Sequence, residues 1–124
     1  MSNETRQAGT MSQRAIDLLN RNDVDPGTPI LVGNTNIEHM KKQHPSDYEK
    51  YGDYLDDILA SPTYVANHPS NDSVQYIKVF EECDEHILIA IRITQKGNLF
   101  ARTLFVMSEV KVKQYKNSGA LKNY

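Results

Sequence analysis

His86-Ile87-Leu88-Ile89-Ala90-Ile91-Arg92-Ile93-Thr94 is the stretch that decides the fold. Its isoleucines recur at every second position. That is the period of a β-strand, so all of them stand on one face and must pack on something apolar. The other face carries His86, Leu88, Ala90, Arg92 and Thr94. Alternating segments flank it: Val74 to Phe80 before, Leu99 to Met107 after. The turns Glu81–Glu85 and Gln95-Lys96-Gly97-Asn98 separate them, which predicts three strands in an antiparallel meander. Val110 to Lys116 reads as a short helix or a fourth strand, ended by Gly119.

Upstream the period is helical. Ala15, Ile16, Leu18 and Leu19 form a stripe within Ser12 to Asn20, and Asp25-Pro26-Gly27 marks a turn. Ile30-Leu31-Val32, between Pro29 and Gly33, reads as a brief extended segment. Thr35-Asn36-Ile37-Glu38 is a capping box opening a helix that should stop near His44, before Pro45. Ser46-Asp47-Tyr48-Glu49 is a second box, and Tyr48, Tyr51, Leu55, Ile58 and Leu59 follow at helical spacing up to Pro62. The expected architecture is α+β, with N-terminal helices packed on a C-terminal antiparallel sheet of about four strands. Residues 1–10 contain no apolar cluster and are expected to be a flexible tail. Residues 11–124 are expected to form a single domain.

The 124 residues are 39% hydrophobic, which suits a folded chain with one core. A net charge of −2 disfavours gripping duplex nucleic acid by bulk charge but allows a local basic patch. Cys83 is the one cysteine, so no intramolecular disulfide forms and a reducing, cytoplasmic compartment is the expectation. Its setting, Glu81-Glu82-Cys83-Asp84-Glu85, opposes a thiolate nucleophile. No apolar run reaches the ~20 residues of a membrane span, and no signal peptide is visible. There is no glycine-rich phosphate loop, paired-cysteine metal site or Gly-x-Ser-x-Gly elbow, so no cofactor or metal is expected.

Three groups of residues could carry chemistry. Glu38-His39-Met40-Lys41-Lys42-Gln43-His44 places two histidines within one short helix. A histidine pair can supply both base and acid near neutrality. His39 and His44 are about 140° apart on a helix, which does not suit a shared metal. Surface or helix-end packing is their ordinary role. If the strand registers match, Tyr76, Lys78, Arg92 and Arg102 share a partly solvated sheet face, a basic patch able to hold a phosphodiester. A plain solvated face is the commoner finding. Tyr115 with Lys111, Lys113 and Lys116 could contact an RNA backbone and stack a base, although surface charge would also explain them.

Taken in order, several segments resemble the phage-associated branch of the barnase–EndoU–colicin–RelE ribonuclease-like superfamily. They are Ile37 to Pro45, Tyr51 to Leu59, Pro62-Thr63-Tyr64-Val65, Val74 to Lys78, the isoleucine strand, Ala101-Arg102-Thr103-Leu104-Phe105, and Val112-Lys113-Gln114-Tyr115-Lys116. The resemblance covers Ile30 to Leu121 and leaves out Met1 to Gly27. It implies helices followed by a four-stranded antiparallel sheet, and metal-independent cutting of RNA, often by toxins or phage proteins. It also implies His39 or His44 as acid or base, and Arg102 and Thr103 as phosphate contacts. Arg102 and Thr103 are adjacent on a strand, so at most one lines a site unless a bulge intervenes. The glutamate base of barnase has no counterpart here. The expected function is therefore an RNA endonuclease with RNA, and an immunity or antitoxin protein, as partners. The alternative is a catalytically silent RNA- or protein-binding domain of the same fold.

Overall fold

The computed structural model describes residues 4–124 of the chain. In order, its elements are β1 (Thr5–Thr10), α1 (Gln13–Leu19), β2 (Pro29–Gly33), α2 (Asn34–Gln43), α3 (Pro45–Tyr51), α4 (Leu55–Ala60), β3 (Tyr64–Asn67), β4 (Val74–Phe80), β5 (Glu85–Ile93), β6 (Leu99–Val106), α5 (Glu109–Ser118) and β7 (Lys122–Asn123). The predicted meander is its centre: β4 pairs with β5 and β5 with β6, both antiparallel.

The rest of the sheet corrects the expected fold class. The described residues form one seven-stranded sheet in the order β1-β2-β6-β5-β4-β3-β7. It is mixed, because β2 runs parallel to β6 through Ile30 and Leu31. The helices are spread along the chain, with α5 after β6, and do not form an N-terminal block. The brief segment Ile30-Leu31-Val32 enters the sheet as β2, and Thr5–Thr10, expected in a tail, forms the edge strand β1 paired antiparallel to it. The pairing supplies the backbone hydrogen bonds that hold β1, and only Ala8 needs to be buried. Such a strand carries little hydrophobic signal. Residues 1–3 of the expected tail lie outside the described residues.

The main core lies on the isoleucine face. Ile87, Ile89 and Ile91 are fully buried there with Met40, Leu55, Ile58 and Tyr76. Each such side chain contributes about 1.5–3 kcal/mol by leaving water. The expected helix through Tyr48 and Leu59 is two helices, α3 and α4, joined by a 3-10 turn at Gly52–Tyr54. Gly52 allows this break, since a Cβ there would stand 2.8 Å from the Tyr48 ring. Ser46-Asp47 does not cap α3. The helix starts two residues earlier, at Pro45 after His44, and the Asp47 carboxylate accepts the Val106 amide of β6 at 3.0 Å.

The opposite sheet face has two regions. Over one, α5 seals a second cluster of Ala66, Ile77, Leu88, Met107 and Tyr115. Val110 to Lys116 is thus helical, and α5 ends at Gly119 in the left-handed conformation at φ 74°. The other region is open and bears Arg92 and Arg102. The expectation that Tyr76 and Lys78 share the arginine face is corrected by the register. Tyr76 pairs with Ile89 and Lys78 with Ile87, so both stand on the isoleucine face. Tyr76 is buried, and the Lys78 ammonium donates to the Ser61 carbonyl at 2.7 Å. Alternation fixes faces within a strand, whereas faces between strands depend on register, and a one-residue slip exchanges them.

Candidate nucleic-acid interface

The open region is a cleft of about 280 Å³. Its floor comes from the meander. Gln75 of β4 pairs with Ala90 of β5, and Ala90 pairs with Thr103 of β6, so these three side chains share the face. Leu88 and Phe105 pair next to them and complete an apolar patch.

A β-bulge shapes the centre. Ala90 pairs with Thr103 but Ile91 pairs with Ala101, which leaves Arg102 as the extra residue of β6. Ala101 is buried in the main core. Beyond the bulge, Thr103 lines the cleft together with Arg102. The bulge cancels the alternation that would otherwise have sent these neighbours to opposite faces. Arg92, paired with Phe100, stands beside them.

Separate elements supply the walls. Helix α2 runs along β6 and contributes His39. Helix α5 contributes Lys111 and Tyr115, the latter only 6% exposed. The β3–β4 loop contributes His68, Asn71 and Ser73. This loop is closed by its own hydrogen bonds: the Ser73 amide donates to Asn71 Oδ1 at 2.8 Å, and the His68 amide to the Ser73 carbonyl at 2.9 Å. Asn67 ties its base to α1 by donating to the Leu19 carbonyl at 3.0 Å. The Ser70 amide donates to His68 Nδ1 at 3.0 Å. Nδ1 is therefore the acceptor, and the proton of the neutral ring is on Nε2.

Arg92, Arg102 and Lys111 line the cleft and make no ion pair among the described residues. No carboxylate lines it. A second depression of about 250 Å³ adjoins it, lined by Thr35, Asn36, Thr94 and Phe100. Arg92 and Arg102 belong to both, so the two arginines stand between two hollows of one groove.

Of the residues singled out in the sequence, His39, Arg92, Arg102, Thr103, Lys111 and Tyr115 line this cleft. His44 does not. It sits between α2 and α3 with its ring 5.2 Å from that of Phe105. Lys78 is on the other face of the sheet. Sequence reasoning missed His68, Asn71, Ser73 and Gln75. The first three are in what reads as an ordinary polar loop. Gln75 gave one signal, a polar amide inside an otherwise apolar strand.

Among the described residues no three His, Cys, Asp or Glu side chains are grouped so as to hold a metal ion, and no helix is long and apolar enough to cross a membrane. A mixed sheet with a bulged, cationic groove flanked by histidines is compatible with a nuclease-like domain. The chain belongs to the family described as phage-Barnase-EndoU-ColicinE5/D-RelE like nuclease3, whose model matches residues 6–114. The match takes in most of β1 and all of α1, which the sequence resemblance left out. No curated protein and no solved structure matches the chain.

Proposed function

We propose that this domain is a metal-independent RNA endonuclease that cleaves by internal transesterification. The observation that carries this reading is the convergence of His39, Arg92, Arg102 and Thr103 on one cleft from two strands and a helix. His39 takes the proton of the ribose 2′-hydroxyl, whose oxygen attacks the adjacent phosphorus. The Arg102 guanidinium engages two phosphoryl oxygens, with Arg92 and the Thr103 hydroxyl as further donors, and their attraction grows as the phosphorane gains charge. His68, with Nδ1 occupied by the Ser70 amide, offers Nε2–H as a hydrogen-bond donor to the same oxygens. The Lys111 ammonium protonates the departing 5′-oxygen. The products are a 2′,3′-cyclic phosphate and a 5′-hydroxyl. Hollows on both sides of the arginine pair suit a substrate strand that continues in both directions from the cut phosphate. A protein that covers this groove is the immunity-type partner the reading implies.

The test is incubation of purified protein with single-stranded RNA in excess EDTA, with the new ends analysed. Cyclic phosphate ends, lost in His39→Ala, support the reading. RNA left intact at high protein concentration overturns it. One observation favours a catalytically silent RNA-binding domain instead: His68 Nδ1 is engaged by the Ser70 amide, which leaves His39 as the one histidine in the cleft with both ring nitrogens unengaged. RNA binding without cleavage would establish that alternative.

A further inference from the structure

We propose that the second hollow is a subsite for the nucleotide beside the cut phosphate, that Phe100 is its stacking platform, and that unpaired RNA is therefore the substrate. Arg92 and Arg102 line both hollows, so a phosphate held between them has room on each side for the strand to continue. Beyond the arginine pair, the second hollow offers two kinds of surface.

The first is an aromatic ring. Phe100 pairs with Arg92 across the sheet, and residues directly opposite share a face, so both stand on the open side. Phe100 is partly exposed, and no other ring of the described residues packs on it. The second is a set of polar groups whose acceptors are already used inside the protein. Asn36 Oδ1 accepts the Gly33 amide at 2.8 Å, which leaves its Nδ2 hydrogens for a ligand. Thr94 Oγ1 accepts the Asn98 amide at 3.1 Å, and its own hydrogen remains to donate. No carboxylate lines the hollow. Donors and cations around an aromatic ring suit a ligand with a flat face and a rim of acceptors. A nucleotide has both, in its base and its sugar-phosphate.

Stacking on a phenyl ring requires only a π-face, so this subsite does not choose among bases. It does choose strandedness. Inside a duplex both faces of a base are covered by its neighbours, whereas an unpaired strand can turn a base out onto the ring. The inference rests on the ribonuclease reading for the phosphate it sits beside, but binding here does not require cleavage.

The test uses the whole chain and a short RNA strand whose 2′-oxygens are methylated and cannot attack, compared with the same sequence closed in a duplex. At one fixed salt concentration the wild type should bind the single strand at least about fivefold more tightly than the duplex. Phe100→Leu keeps an apolar side chain without a π-face and should lose most of that margin, and Phe100→Tyr should restore it. A scan in which one base of the strand at a time is removed reads the same contact with the protein intact. At one position the loss should match that of Phe100→Leu, and removing that base should cost Phe100→Leu nothing further. Binding unchanged in Phe100→Leu, equal affinity for single strand and duplex, no sensitive position in the scan, or no RNA binding at all would each overturn the proposal. Phe100-dependent binding without cleavage of ordinary RNA would overturn the nuclease reading alone, and cleavage with binding indifferent to Phe100 would overturn this one alone.

Discussion

Arg102 and Thr103 are consecutive in the chain, and both line the same cleft because Arg102 is the unpaired residue of a bulge between Ala90 and Ile91 on the neighbouring strand. The side chain of Arg102 is exposed and has no ion-pair partner among the described residues, so folding asks little of it. Arg102→Lys keeps the charge and most of the stem but loses the planar fork. It should leave the melting temperature unchanged and lower RNA cleavage at least about tenfold. Arg102→Ala should lower it by about 10²-fold, as loss of a transition-state donor does. Thermal melts and cleavage rates taken in parallel decide this, and unimpaired cleavage by both variants would remove Arg102 from the site.

The two histidines of α2 and its end should behave differently. His39 lines the cleft, whereas His44 packs on Phe105 and is not among the lining residues. His39→Ala should lower cleavage by about 10²–10⁴-fold, the usual worth of a positioned base. His44→Ala should keep cleavage near the wild-type rate and cost about 0.5–1.5 kcal/mol of stability from the lost ring contact. A urea titration beside a cleavage assay separates the two. Loss of cleavage in His44→Ala with intact stability would move the catalytic role to His44.

The central meander was legible because its signal is local. Strand period, turn residues and the isoleucine face all follow from side-chain alternation, and β4, β5 and β6 lie within a residue or two of where the pattern puts them. The outer sheet was not legible. β1 buries Ala8 alone, and β7 is two residues long, so both depend on backbone pairing that leaves no hydrophobic pattern. Register misplaced one member of the expected site. Lys78 reads as a partner of Arg92 until its pairing with Ile87 puts it on the opposite face. The bulge at Arg102 and the loop that carries His68 involve no distinctive residue type, so only three-dimensional pairing brings them to the cleft.

The isoleucine face gives a direct check on register. Ile89 is fully buried and pairs with Tyr76 and Leu104 on its two sides. Ile89→Asp would place an unpaired carboxylate in the core and should cost at least about 4 kcal/mol, enough to unfold a domain of this size. Thr94 is partly exposed, and its hydroxyl accepts the Asn98 amide at 3.1 Å in the turn. Thr94→Asp keeps an acceptor there and should change stability by under about 0.5 kcal/mol. Chemical denaturation of both variants tests this, and equal stabilities would show that the faces are reversed.

His86 sets an acid limit on stability. Its ring stacks on Tyr64 with centroids 6.3 Å apart, and its Nε2 is buried without a hydrogen-bond partner. Burial pushes the imidazole pKa below its usual value, and the Lys116 ammonium adds to this, against a smaller opposing pull from Asp84. Above about pH 6.5 the ring is neutral in both folded and unfolded chains, so His86 adds no pH dependence there. As pH falls through that value, the unfolded chain takes up a proton that the folded chain resists, and stability declines. Glu85 also contributes on the acid side, since Lys50 and Tyr51 hydrogen bonds hold its carboxyl below the usual range. Its share is lost only on falling through the carboxylate range, near pH 4 and below. The interval from pH 6.5 to 5 therefore belongs to His86. Unfolding free energy measured in urea at pH 7.5, 6 and 5 should fall steadily for the wild type. In His86→Leu it should stay flat across that interval and still drop near pH 4. Parallel profiles for the two proteins would show that the buried imidazole is not the group that titrates.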